Sequence, residues 1–160
     1  STPMNKKKFD IVAAAEEVFA TYDYLSEQDG YKITFNKPRA TYVYGDVDKI
    51  KQVMINFISN AIKYSEDNKV IEINLKRAFS ARTIRFSVID HGVGIPSDEI
   101  GHVWDRYYRT SANHKQSVEG NGLGLSIVKG ILSLHNANYG VNSKEGEGSE
   151  FWFEMNIVKK

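Results

Sequence analysis

The sequence predicts a two-layer α+β domain, a mixed and largely antiparallel sheet covered on one face by three helices. Two patterns carry this reading. Ile71, Ile73 and Leu75 alternate with Glu72, Asn74 and Lys76, and Ile84, Phe86 and Val88 alternate with Arg85 and Ser87. Phe151, Phe153, Met155 and Ile157 alternate with Glu150, Trp152, Glu154 and Asn156. A period of two with one polar face belongs to a sheet wet on one side and covered on the other. Segments 11–26, 47–64 and about 123–135 repeat instead at helical spacing and supply the cover. At 160 residues, 41% hydrophobic and 26% charged, the chain has the size and balance of one globular domain.

In chain order, Ile11, Ala15, Val18, Phe19 and Tyr22 mark the first helix, and Gly30 breaks it. Tyr31, Ile33 and Phe35 read as a strand ended by Lys37-Pro38, and residues 41–44 as a second, short one. Asp46 is placed to cap the helix that runs to Tyr64. Residues 106–122 are polar and aperiodic, which suits a lid or binding loop inside a compact domain.

Several classes of function are excluded. The chain has no cysteine, so thiolate metal sites, cysteine nucleophiles and disulfides are absent. Lys and Arg total 21 against 20 Asp and Glu, a net charge of +1, which offers nothing to drive nonspecific nucleic-acid binding. The aromatic and basic cluster Arg106, Tyr107, Tyr108 and Arg109 is too short to change that. No apolar run approaches the roughly 18 residues of a membrane span. No apolar segment follows the basic start as in a signal peptide. Ser1-Thr2-Pro3-Met4 reads as a cut or tag remnant, so residues 1–8 are expected to be a run-in and residues 9–160 the domain. His91, His102, His114 and His135 lack metal-ligand spacing, and neither a phosphate loop of the GxxxxGK[ST] type nor a GxSxG elbow occurs.

Four groups of residues can carry chemistry. On the helix 47–64, Ile50, Met54, Phe57 and Ala61 share one face, while Asn56, Asn60, Lys63 and Tyr64 gather roughly 100° away. An amide oxygen there suits a hard cation such as Mg²⁺, and a lysine suits phosphate, although such a stripe also describes a solvated helix face. Asp90 is in step with Ile84, Phe86 and Val88, so its carboxylate is expected on the buried face, where it needs a partner. Gly92 and Gly94 follow at once and let backbone approach a flat ligand closely. Gly120, Gly122 and Gly124 open the helix near 123, where N–H groups and the helix dipole favour an anion. Gly146 and Gly148 precede the last strand as a hairpin turn.

Singly these signals are weak, but their order is specific. Asn56-x-x-x-Asn60-Ala61-x-Lys63-Tyr64-Ser65 is followed by Asp90-x-Gly92-x-Gly94-Ile95-Pro96, then Val103-Trp104-Asp105-Arg106-Tyr107-Tyr108-Arg109. Gly120-x-Gly122-Leu123-Gly124-Leu125 and Gly146-x-Gly148-Ser149 complete the series. This order resembles the N, G1, F, G2 and G3 boxes of the catalytic, ATP-binding domain of sensor histidine kinases, the Bergerat fold, over about Phe9 to Ile157. The resemblance implies roles. Asn60 would hold Mg²⁺, with Asn56 assisting, Lys63 on phosphate and Tyr64 lining the nucleotide site. Asp90 would accept the adenine amine, with Gly92, Gly94 and Ile95 making room for the base. Residues 110–119 would be the lid. Arg109, with Arg106 second, would meet the γ-phosphate. Tyr108, Gly122, Leu123, Gly124, Leu125 and Ser149 would complete the nucleotide site. Trp104 and Tyr107 stand where the family usually has phenylalanine, and His91 and Asn121 are also departures. None removes a group the chemistry needs.

Sister ATPases of this fold place a glutamate base four residues before the metal-binding asparagine. Here that position is Asn56, and an amide cannot take the proton. The resemblance therefore implies phosphoryl transfer rather than efficient hydrolysis. The acceptor would be a histidine on an upstream dimerisation domain, with relay to a response regulator. No histidine here is followed by Glu or Asp, as that acceptor would be. ATP and ADP are the implied ligands and Mg²⁺ the cofactor. The isolated domain would be a monomer and nucleic acid no partner. The parent protein would be membrane-anchored with this domain in the cytoplasm. A regulated binding module of the same fold, gated by nucleotide without passing phosphate on, is the competing reading.

Overall fold

The computed structural model describes residues 3–106, 108 and 124–160. In chain order the elements are β1 (Lys7–Asp10), α1 (Ile11–Ala20), α2 (Asp23–Gln28), β2 (Lys32–Asn36) and β3 (Tyr42–Gly45). They continue as α3 (Val47–Tyr64), β4 (Val70–Ala78), β5 (Thr83–Asp90), α4 (Gly124–Leu134), β6 (Asn138–Lys144) and β7 (Gly148–Asn156).

The main sheet has the order β2-β4-β5-β7-β6. Its β2–β4 pair is parallel and the other pairs are antiparallel, so the mixed, largely antiparallel sheet expected from the alternation is the one formed. Register aligns the apolar positions in rows across it. Leu75, Phe86, Phe153 and Tyr139 form one row, and Ile73, Val88, Phe151 and Val141 the next. The third row changes character: Ile71, Asp90, Ser149 and Ser143. The same face that buries the core therefore ends in a polar row.

Helix α3 lies on that face with Ile50, Val53, Met54, Phe57, Ile58 and Ala61 buried. Asp46 caps it as expected, accepting a hydrogen bond from the Lys49 N–H. Phe57 is at the centre, its ring 5.6 Å from Phe151, 6.3 Å from Phe153 and 6.3 Å from Trp104. Helix α4 adds Val128, Ile131 and Leu132 to the core. Trp104 closes the side of the cluster against Tyr139 at 4.9 Å, edge to face.

Three features differ from the sequence-based expectation. The helix expected over 11–26 is two helices, which makes four among the described residues. The Thr21 hydroxyl donates to the Val18 carbonyl and ends α1, and the Tyr22 hydroxyl lies 3.1 Å from Ser59 Oγ on α3. Tertiary contact by Tyr22 thus overrides a continuous helical pattern. Strand β6 was not expected, because only Tyr139 and Val141 are apolar in a run rich in Asn, Gly and Ser. Strand β1 was not expected either. It pairs antiparallel with β3 and overlaps the expected run-in at Lys7 and Lys8. The Asn5 N–H also donates to Asp46, tying this strand to the cap of α3.

Candidate functional site

The site is built where the polar row of the sheet meets the C-terminal half of α3. Asp90 is the last residue of β5 and is only 3% exposed, on the covered face as the alternation predicts. Its Oδ1 accepts the Gly92 N–H at 2.9 Å, and the Ser149 N–H also bonds to the carboxylate. Burial pushes its pKa above the usual carboxylate range, and these two N–H groups pull it part of the way back. The carboxylate has lone pairs to spare for a further donor.

The glycines after Asp90 hold the backbone close. A Cβ on Gly92 would sit 1.7 Å from the Tyr64 carbonyl oxygen, at the end of α3. One on Gly94 would sit 2.2 Å from the Lys144 carbonyl oxygen, and Gly94 has φ +71°. The Val93 carbonyl accepts the Gly146 N–H at 2.8 Å, so the loop after β5 is stitched to the β6–β7 turn. Gly148, at φ +97°, lies so close that a Cβ there would be 2.0 Å from the Asp90 carbonyl oxygen. The Gly146–Ser149 cluster is thus a hairpin turn and also a wall of the Asp90 junction.

Ser143 completes the stitching and is the residue that sequence reasoning missed. Its Oγ accepts the Ile95 N–H at 2.8 Å and lies 2.9 Å from the Gly148 carbonyl and 2.8 Å from Ser149 Oγ. The signal was faint: Ser143 is in step with Tyr139 and Val141, in a strand the pattern barely marks.

On α3, Asn56, Asn60, Lys63 and Tyr64 are all half-buried along the edge of the apolar face. The Asn60 Nδ2 donates to Asn56 Oδ1 at 3.3 Å, which leaves the Asn60 oxygen for another partner. Lys63 Nζ lies 5.9 Å from the centre of the Tyr64 ring. Gly124 begins α4 against this stripe, where a Cβ would come 2.8 Å from Asn56 Nδ2. Leu125 is half-buried and packs on the core. The structure thus brings Asn56 and Asn60 together with the first residue of α4, and joins Tyr64 to the Asp90 junction through Gly92.

Tyr108 is half-buried, and its hydroxyl donates to the Glu99 carboxylate. Burial, then that carboxylate, hold its proton far above the usual tyrosine range. Arg106 is exposed. Tyr107, Arg109, the expected lid over 110–119, and Gly120, Gly122 and Leu123 lie outside the described residues. A cavity of about 330 Å³ abuts Asp90, His91 and Ser149, but its Ile89, Asn142 and Glu150 lining lies on the open face of the sheet. It is therefore not the space Asp90 faces. There, His91 Nε2 lies 2.9 Å from Glu72 Oε2.

Two tests bear on Mg²⁺. No cluster of three or more His, Asp or Glu able to hold a metal occurs among the described residues. The free Asn60 amide oxygen is nevertheless a hard donor of the kind Mg²⁺ accepts when most of its shell comes from water and phosphate. The donor set fits a metal that arrives with a nucleotide.

The sequence and the fold have known counterparts. Residues 45–159 match the family described as histidine kinase-, DNA gyrase B- and HSP90-like ATPases. The sensor protein kinase WalK of Staphylococcus aureus is 31% identical over 157 residues, covering 97% of this chain and 37% of that protein. The chain thus spans little more than a third of that relative. The solved catalytic domain of histidine kinase ThkA is 26% identical with a TM-score of 0.81, covering 96% of both chains. Full-length ShkA in complex with AMPPNP shares the fold at a TM-score of 0.82 over 99% of this chain and 32% of its own, at 24% identity. The chain belongs to the histidine kinase-, gyrase B- and HSP90-like ATPase family. Within it, the chain is an ATP-binding catalytic domain of the sensor histidine kinase type, in line with the order of its motifs.

Proposed function

We propose that this domain binds Mg-ATP and passes the γ-phosphoryl group to a histidine on a separate, upstream dimerisation domain. The observation that carries the reading is the buried Asp90 carboxylate, held by two N–H groups beside glycines that admit no side chain. A carboxylate so placed accepts the amine of a purine, and Gly92, Gly94 and Ile95 leave the base its room. Asn60 would hold Mg²⁺, whose role when bound is to neutralise charge on the phosphates. Asn56 fixes the Asn60 amide, and Lys63 meets phosphate as a point charge. Tyr64 and Ser149 line the nucleotide, and Gly124 and Leu125 bring the start of α4 to the phosphates together with Gly122 and Leu123. Tyr108 completes the nucleotide site. Arg109 is the first choice for the γ-phosphate and Arg106 the second.

In the transfer, the bond from the bridging oxygen to the γ-phosphorus breaks, an imidazole nitrogen bonds to phosphorus, and ADP leaves. Positioning and electrostatics do most of such work. At position 56 an amide stands where a hydrolase needs a base, which favours transfer over hydrolysis. Residues 9–160 form the catalytic domain, joined at its start by Lys7 and Lys8 of β1. No helix of the described residues is long and apolar enough to cross a membrane. A membrane anchor, a response regulator as final acceptor and a monomeric isolated domain complete the reading.

The test is calorimetric titration with ATP, with and without Mg²⁺, followed by incubation with a separately made acceptor domain. Micromolar to millimolar binding that Mg²⁺ strengthens, slow turnover by the domain alone, and label appearing on the acceptor histidine are expected. Rapid turnover without an acceptor would refute the kinase reading, and binding with no label on any acceptor would favour the nucleotide-gated module.

A further inference from the structure

The far end of the sheet carries a second feature that the nucleotide reading does not use. Strand β5 runs from Thr83 to Asp90, so its two ends are roughly 24 Å apart. At the Thr83 end, the β4–β5 turn and the residues after β7 enclose a cavity of about 370 Å³. Its lining includes Arg77, Phe79, Arg82, Ile157, Val158 and Lys159, three cations with no carboxylate.

Four observations make this more than a solvated turn. Phe79 is 84% exposed, the most exposed large apolar residue among those described. The Arg77 guanidinium lies 5.8 Å from the Phe79 ring centre, so charge and apolar surface are held side by side. Arg77 Nε is buried without a hydrogen-bond partner among the described residues, so this side chain is incompletely satisfied where it stands. Four surface cations elsewhere are matched, Lys37 with Glu16, Lys51 with Glu17, Arg85 with Glu154 and Lys144 with Glu147. Among the described residues, none of Arg77, Arg82 and Lys159 has an ion-pair partner. In addition, β2 ends opposite Asn74, so the stretch Leu75–Ala78 of β4 has no strand beside it on that side.

We propose that this end of the sheet docks an acidic, extended segment of a protein partner. Its carboxylates pair with Arg77, Arg82 and Lys159, and an apolar side chain beside them covers Phe79. Charge complementarity names the partner's chemistry, and the open edge of β4 suits an extended backbone. The proposal is independent of the nucleotide site, which lies at the other end of β5.

The probes are a blocked five-residue peptide alternating glutamate and leucine, its lysine–leucine counterpart, and inorganic phosphate. Each is titrated into the isotope-labelled domain while amide shifts are followed. The glutamate peptide is expected to move the amides of 77–82 and 157–159, with those around Asp90 unmoved. Arg77→Ala and Phe79→Ser are each expected to weaken it at least five-fold, with ATP affinity unchanged. Should Arg77→Ala unfold, the exposed Arg82→Glu must produce the same loss. No shifts at millimolar glutamate peptide would overturn the proposal, as would equal binding of the lysine peptide. Identical shifts from phosphate alone would reduce the feature to a simple anion site and overturn the docking claim.

Discussion

Asp90, the residue proposed to take the adenine amine, opposes the fold that holds it. Its folded pKa is raised, so the ionised form is the disfavoured one. The sign follows from linkage: this group favours the folded state below its unfolded pKa, and the benefit is lost as pH rises through the raised folded value. At neutral pH the buried charge is therefore a net cost. Asp90→Asn is expected to raise Tm by a few degrees at pH 7, about 1 kcal/mol. That advantage should shrink as pH falls through the raised pKa towards 4, which paired calorimetric scans from pH 7 to 4 would show. The same variant should lose about 10- to 100-fold in ATP affinity, since a hydrogen bond to a charged acceptor is replaced by a mismatch. A variant that lost neither stability cost nor affinity would remove Asp90 from the site. Gly92 presents the opposite balance. Its Cβ would strike a main-chain oxygen that cannot swing away, so Gly92→Ala should destabilise by about 2–4 kcal/mol in urea unfolding.

At the scale of elements, the site is a junction of pieces that do not adjoin in sequence. Ser143 on β6 holds Ile95 after β5, so Ser143→Ala should cost about 1–2 kcal/mol of stability and weaken ATP several-fold. A weakened ATP affinity with unchanged unfolding would show that the residue positions the loop without supporting the fold. The other end of α4 is held by His135. Its Nδ1 donates to the Ile131 carbonyl and its Nε2 accepts the Asp46 N–H at 2.9 Å. That arrangement requires the neutral ring, and burial lowers its pKa, with Lys6 and Lys49 adding to the effect and Asp46 opposing it. The stability this neutral ring supplies is full above about pH 6.5 and fades as pH falls from there to the depressed folded value. Wild type should thus lose Tm between pH 7.5 and 5 more steeply than His135→Ala, measured by thermal scans.

These elements also mark what the sequence could and could not say. Asp90 was legible because a period of two assigns a face to each residue, and burial follows from the face. The α3 stripe was legible for the same reason at helical period. Strand β1 was not, since Lys7–Asp10 holds one apolar residue, Phe9, and forms only because β3 offers it an edge. The end of α1 was hidden too, because neither glycine nor proline marks it and the Tyr22 contact with α3 is long-range. Ser143 lay in a strand whose composition speaks against strands. What the chain writes in periodic form could be read, and what packing alone decides could not.

On the scale of the whole molecule, the two ends of one sheet face different tasks, with the core rows between them keeping those ends apart. The order of the main sheet also has a kinetic consequence. β4, β5, β7 and β6 are joined antiparallel, whereas β2 sits at the edge and meets only β4, in parallel. Slanted parallel hydrogen bonds hold less well per residue, and an edge strand is held on one side alone. β2 is therefore the early departure in local opening. In hydrogen exchange, the amides of Lys32–Asn36 should trade their protons well before those at the centre of β5, so the molecule loosens first along that border.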